Sequence, residues 1–105
     1  MIVVTRIPTH RNDGTEISAR ELGQILAKVR DKFRGYSLEG PSWGAWVAAN
    51  GDIYEEDSWK LEVVVPPERV NAVRKMYVRI GKRLGQRALF YEVREGGEII
   101  DLDEE

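Results

Sequence analysis

An Asn-Gly pair at positions 50 and 51, set inside a stretch dense in tryptophan, tyrosine and valine, constrains this chain more than any other feature. Asn-Gly is the strongest short-range hairpin signal, because both residues tolerate the positive φ that a two-residue turn demands. It also sets pairing. Under such a turn Ala48 faces Ile53, Trp46 faces Glu55 and, with no bulge intervening, Leu38 faces Val63 and Tyr36 faces Val65. One face of the ribbon then holds Tyr36, Leu38, Trp46, Ala48, Ile53, Trp59, Leu61, Val63 and Val65, the expected core set. The opposite face holds Glu39, Trp43, Val47, Tyr54, Glu56, Ser58, Lys60, Glu62 and Val64. Gly40-Pro41 and Gly44 are each able to host a bulge that shifts the outer half.

The elements around this ribbon carry their own signals. Ile2 to Ile7 alternates between two faces of an extended segment that Pro8 closes, since proline cannot donate to a continuing ladder. Ser18-Ala19-Arg20-Glu21 is a capping box: the serine oxygen takes an orphan amide while Glu21 reaches back to the serine amide. Leu22, Ile25, Leu26, Val29 and Phe33 follow at helical spacing, and Gly35 is the expected C-terminal cap. Pro66-Pro67-Glu68 opens a second helix, with Val70, Val73, Tyr77, Ile80 and Leu84 as its apolar stripe, basic residues over much of the rest, and Gly85 as its end. Arg87 to Arg94 reads as a strand, and a further short strand at Glu98 to Leu102 is compatible with the turn chemistry of Gly96-Gly97.

The order strand, helix, strand, strand, helix, strand predicts an α+β ferredoxin-like βαββαβ sandwich, with two helices on one face of an antiparallel four-stranded sheet. The valine-rich segment Leu61–Val65 is expected as a central strand parallel to the first, reached by a right-handed crossover. The 105 residues suit a single domain spanning 1–105, with 98–105 an acidic tail. Sixteen basic residues oppose 18 acidic ones, and five of the acids lie in the last eight positions, so the remainder carries 16 against 13. A body near +3 is too weakly basic to argue for nucleic acid from charge.

Several chemistries are excluded by inventory. Without cysteine there is no disulfide framework, thiolate metal site or thiol nucleophile, which suits a cytoplasmic location. A single histidine, His10, excludes a histidine metal cluster, and no metal or other cofactor is expected. Met1–Arg6 lacks a basic n-region and reads as a strand, and no run approaches the ~18 apolar residues of a membrane span. The strand containing Leu61–Val65 lacks the aromatic, glycine-bearing signature of RNA-recognition domains, so RNA and DNA are not the expected partners.

What remains is a sheet face with no helix left to cover it, bearing Trp43, Val47, Tyr54, Glu56, Ser58 and Val64. Leaving Trp43, Val47, Tyr54 and Val64 wet together forgoes ~1.5 to 3 kcal/mol per large apolar side chain, which calls for a partner. The expected function is therefore a non-enzymatic binding or interaction module. It forms a homodimer, or takes a protein partner or small ligand, through Trp43, Val47, Tyr54, Glu56 and Ser58. Two alternatives stand beside it. One is a small enzyme using His10, Tyr54 and Glu56 in a pocket at a dimer interface, which requires His10 and Glu56 to reach one cavity. The other is nucleic-acid binding through the basic second helix. Asp13-Gly14 and Ile17-Ser18 before the first helix, Gly44-Ala45-Trp46, Ile53–Ser58 with an acid before the serine, and Tyr77 with Gln86 form a pattern. Over about residues 10 to 93 it resembles a family of small bacterial domains of unknown function. The resemblance implies kinship of fold and assigns no catalytic residue.

Overall fold

Strand β1 (Ile2–Pro8) is followed by helix α1 (Ala19–Phe33), strands β2 (Ser37–Val47) and β3 (Ile53–Val64), helix α2 (Val70–Arg83) and strand β4 (Tyr91–Arg94), in a computed structural model that describes residues 1–104. A single 3-10 turn, Pro67–Arg69, leads into α2. The sheet order is β2-β3-β1-β4 and every neighbouring pair is antiparallel. This is the ferredoxin-like α+β fold, with one correction to the sequence reading: β3 runs antiparallel to β1. The parallel partner that the α1 crossover creates is β2, which β3 separates from β1.

Alternation assigns the faces. Val3, Thr5 and Ile7 of β1 pair with Val63, Leu61 and Trp59 of β3, and this face meets Ile25, Leu26, Val29 and Phe33 of α1 and Val73, Tyr77 and Ile80 of α2. The Tyr77 hydroxyl donates to the Val3 carbonyl at 2.7 Å, tying the middle of α2 to β1. Burial pushes this phenol's pKa up, because the phenolate has no water to solvate it. Ser18 caps α1 by accepting from the Glu21 amide at 3.1 Å. The Glu21 carboxylate does not close the capping box, however. It is taken by the guanidiniums of Arg11 and Arg83, which hold its pKa below the usual carboxylate range. The αL position at the other end of the helix falls on Arg34, at φ 68°, rather than Gly35.

The face away from the helices is less bare than its alternation implies. Val4 on that face is 1% exposed and Ser58 4%. A charged lattice crosses it: Lys60 pairs with Glu62 at 2.9 Å, and Arg94 reaches both Glu62 and Glu92. Beyond β4 the chain crosses over this face so closely that a Cβ on Gly97 would lie 2.6 Å from the Ile2 side chain. Val64 is half-buried there rather than exposed. The segment 98–102 forms no strand, with Ile99, Ile100 and Leu102 open to solvent, and β4 begins only at Tyr91.

Candidate functional site

The turn that carries the ribbon differs from a two-residue hairpin. The Gly51 amide donates to Ala48 and the Ala48 amide to Asp52, so Ala49, Asn50 and Gly51 form a three-residue loop. Gly51 takes the left-handed position at φ 89°, the third-residue role that glycine fills after a type I turn. The extra residue moves the pairing by one. Trp46 opposes Tyr54, Val47 opposes Ile53, Gly44 opposes Glu56 and Trp43 opposes Asp57. A second shift at the Gly40-Pro41 bulge, between Glu39 and Ser42, moves the pairing by one more, so that Leu38 opposes Leu61 and not Val63.

By register the expected site residues consequently divide between two faces, although Trp43 still lines two hollows that Glu56 also lines. Tyr54, Glu56 and Ser58 share the helix-free face, joined there by Trp46, which stacks on Tyr54 with centroids 5.8 Å apart. Trp43 and Val47 turn to the other face with Ile53. There the helices do not reach, and the three are 66%, 66% and 69% exposed. Tyr36, Trp46 and Ile53, expected in the core, lie largely outside it. The one-residue slip exchanges the outer side chains of β2 between faces, while those of β3 keep theirs.

On the helix-free side, Arg6 comes from β1, where it pairs with Lys60 in the ladder. Its Nη1 donates to the hydroxyls of Ser42 and Ser58 at 2.9 and 3.3 Å, and no acidic residue pairs with it among the described residues. Arg6 and Ser58 line a hollow of about 390 Å³ together with Trp46, Glu56, Gln86 and Phe90. The Glu56 carboxyl is half-buried and makes no ion pair or hydrogen bond among the described residues, and desolvation raises its pKa. The Gln86 amide nitrogen, Nε2, is buried without an acceptor among the described residues. Sequence reasoning missed Arg6, Trp46 and Phe90 as site residues. The one available signal was Arg6, a lone charge in an otherwise apolar strand.

An adjoining hollow of about 530 Å³ is lined by His10, Arg11, Trp43, Tyr54, Glu56 and Arg87, among others, so His10 and Glu56 do reach one cavity. The loop that carries His10 is pinned by the Thr9 amide donating to the Asp57 carbonyl at 3.0 Å and by the Asn12 side chain donating to the Gly85 carbonyl at 3.1 Å. His10 Nδ1 lies 2.9 Å from the Thr9 hydroxyl, whereas Asp13, the carboxylate nearest to it in sequence, is engaged by Thr15. On α2 and the turn before it, three of the basic residues spend contacts within the fold. Arg83 reaches Glu21 and Gln24, Arg74 lies over Tyr91, and Arg69 lies over Phe33. Among the described residues no helix is long and apolar enough to cross a membrane.

The fold defines a small ferredoxin-like α+β protein with a hollow beneath a projecting ribbon. Two solved structures share the fold. A phage SAM lyase in complex with S-methyl-5'-thioadenosine is 9% identical with a TM-score of 0.58, the match covering 92% of each chain. The divalent cation tolerance protein of Thermus thermophilus is 14% identical with a TM-score of 0.55, over 92% of this chain and 85% of that one. No family model and no curated protein matches the chain.

Proposed function

We propose that this chain is a binding module that works as a homodimer, covering the Trp43, Val47 and Ile53 face of its ribbon with a second copy. The observation that carries this is the two-thirds exposure of all three side chains on one face of the outer hairpin. A two-stranded ribbon has little stability of its own, so apolar side chains there are best explained by a partner. β2 is also an edge strand, 11 residues long, whose outer backbone groups have no strand to pair with among the described residues. A two-fold contact presents the same patch twice, six side chains in all. Burying their exposed two-thirds returns about 6 to 12 kcal/mol. Association costs about 4 to 15 kcal/mol, so the dimer is expected to be concentration-dependent. Size-exclusion chromatography with light scattering over a dilution series tests this. The wild type is expected at twice the chain mass at high concentration, and Trp43→Asp at the monomer mass throughout. A wild type that stays monomeric at every concentration removes the dimer.

A second reading, an acid/base enzyme, is favoured by His10, Tyr54 and Glu56 lining one hollow. That a lyase shares the fold adds support. Incubation with S-adenosylmethionine, with chromatography to detect S-methyl-5'-thioadenosine, tests it directly. Product from the wild type that His10→Gln and Glu56→Gln both suppress is expected under this reading, and no product from the wild type removes it.

A further inference from the structure

Arg6, which is exposed, and Glu56, which is half-buried, line the same hollow with opposite charges, and neither is paired. No ion pair joins them to one another or to any other described residue. Elsewhere on the same sheet face charges do pair, as Lys60 with Glu62 and Arg94 with Glu92 show. A desolvated carboxyl without a cation and a guanidinium without an anion are complementary to a molecule that carries both charges itself. With Nη1 of Arg6 occupied by Ser42 and Ser58, its Nε and Nη2 are left to meet a planar carboxylate side-on. Gln86 lines the same hollow. Trp46, Leu89 and Phe90 provide the apolar remainder of its wall.

Building on the reading of the chain as a binding module, we infer that the hollow between the outer ribbon and residues 86–90 binds a free α-amino acid with an apolar side chain. Its carboxylate meets Arg6, its ammonium meets Glu56, and its side chain lies among Trp46, Leu89 and Phe90. Both charged ends are needed. A ligand with only one leaves either Arg6 or Glu56 desolvated and unpaired, a cost that falls directly on affinity.

Titration of the intact chain with L-phenylalanine, L-leucine and L-methionine, followed by tryptophan fluorescence and by calorimetry, tests this. Saturable binding of at least one is expected. Phenethylamine, which lacks the carboxylate, and 3-phenylpropionate, which lacks the ammonium, are each expected to bind at least tenfold more weakly than phenylalanine. Arg6→Gln is expected to weaken phenylalanine at least tenfold while leaving phenethylamine unchanged, and Glu56→Gln to do the converse with 3-phenylpropionate. Circular dichroism confirms that the variants fold. Failure of all three amino acids to saturate overturns the assignment, as does equal binding of the two single-charge analogues and phenylalanine. A wild type that remains dimeric in the light-scattering series while ignoring every amino acid removes the ligand and leaves the dimer standing.

Discussion

Replacing Tyr77 by phenylalanine removes one oxygen atom and tests how α2 is fixed to the sheet. The ring is 1% exposed and its hydroxyl donates to the Val3 carbonyl at 2.7 Å. The deletion leaves the ring packing intact and the Val3 carbonyl within the β1–β3 ladder, so the loss is the net value of one hydrogen bond, about 0.5 to 1.5 kcal/mol. In a chain of this size that lowers the melting temperature by about 2 to 12 °C. Urea unfolding followed by tryptophan fluorescence gives the same quantity as a shifted midpoint at unchanged slope. The pH dependence supplies a second signature. Burial raises the folded-state pKa of this phenol above its ordinary 10.0, so the wild type holds its full stability below that pH and loses it as the phenol ionises in the unfolded chain. The gap between wild type and Tyr77→Phe therefore narrows above about pH 10. A variant within roughly 0.3 kcal/mol of wild type, the scatter of such measurements, would refute the buried hydrogen bond.

Other perturbations read neighbouring parts of the structure. Gly40→Ala places a Cβ 3.2 Å from the Ser58 carbonyl at a φ of 116°, and is expected to cost roughly 1 to 3 kcal/mol in urea unfolding. Because burial raises the Glu56 pKa, the wild type loses stability as pH rises through the carboxylate range. Glu56→Gln is thus expected to melt above wild type at pH 7, with the difference gone once pH falls below the ordinary value of 4.5. Glu21 shifts the other way: its contribution is present at neutral pH and lost as pH falls through its lowered pKa. Glu21→Gln should melt below wild type at pH 7 and converge with it in acid.

Local signals made much of the fold legible. The alternation of Val3, Thr5 and Ile7, the Ser18 cap, the stripe from Leu22 to Phe33 and the prolines before α2 each specify an element through short-range physics. The direction of β3 relative to β1 and the reach of Glu21 to Arg83 depend on residues far apart in the chain, which no window displays. The site was legible in half. Tyr54, Glu56 and Ser58 keep their common face because they share one strand, whose alternation no turn can alter. Trp43 and Val47 lie across the turn, so a loop of three residues in place of two exchanged them for Trp46. Asn50-Gly51 suits either loop: glycine supplies the positive φ in both, and only the backbone bonds of Ala48 choose between them. Gln86 and Phe90 enter the hollow through the connection to β4, where the chain bears no periodic pattern.

Nuclear Overhauser contacts across the hairpin of the intact chain bear most directly on which side chains face the hollow and which face a second copy. Backbone protons of Trp46 should meet those of Tyr54, and those of Gly44 should meet Glu56, with Ala49, Asn50 and Gly51 looping out beyond Ala48 and Asp52. Contacts joining Trp46 to Glu55 and Ala48 to Ile53 would return Trp43 to the side of Glu56 and dissolve both the dimer face and the amino-acid site.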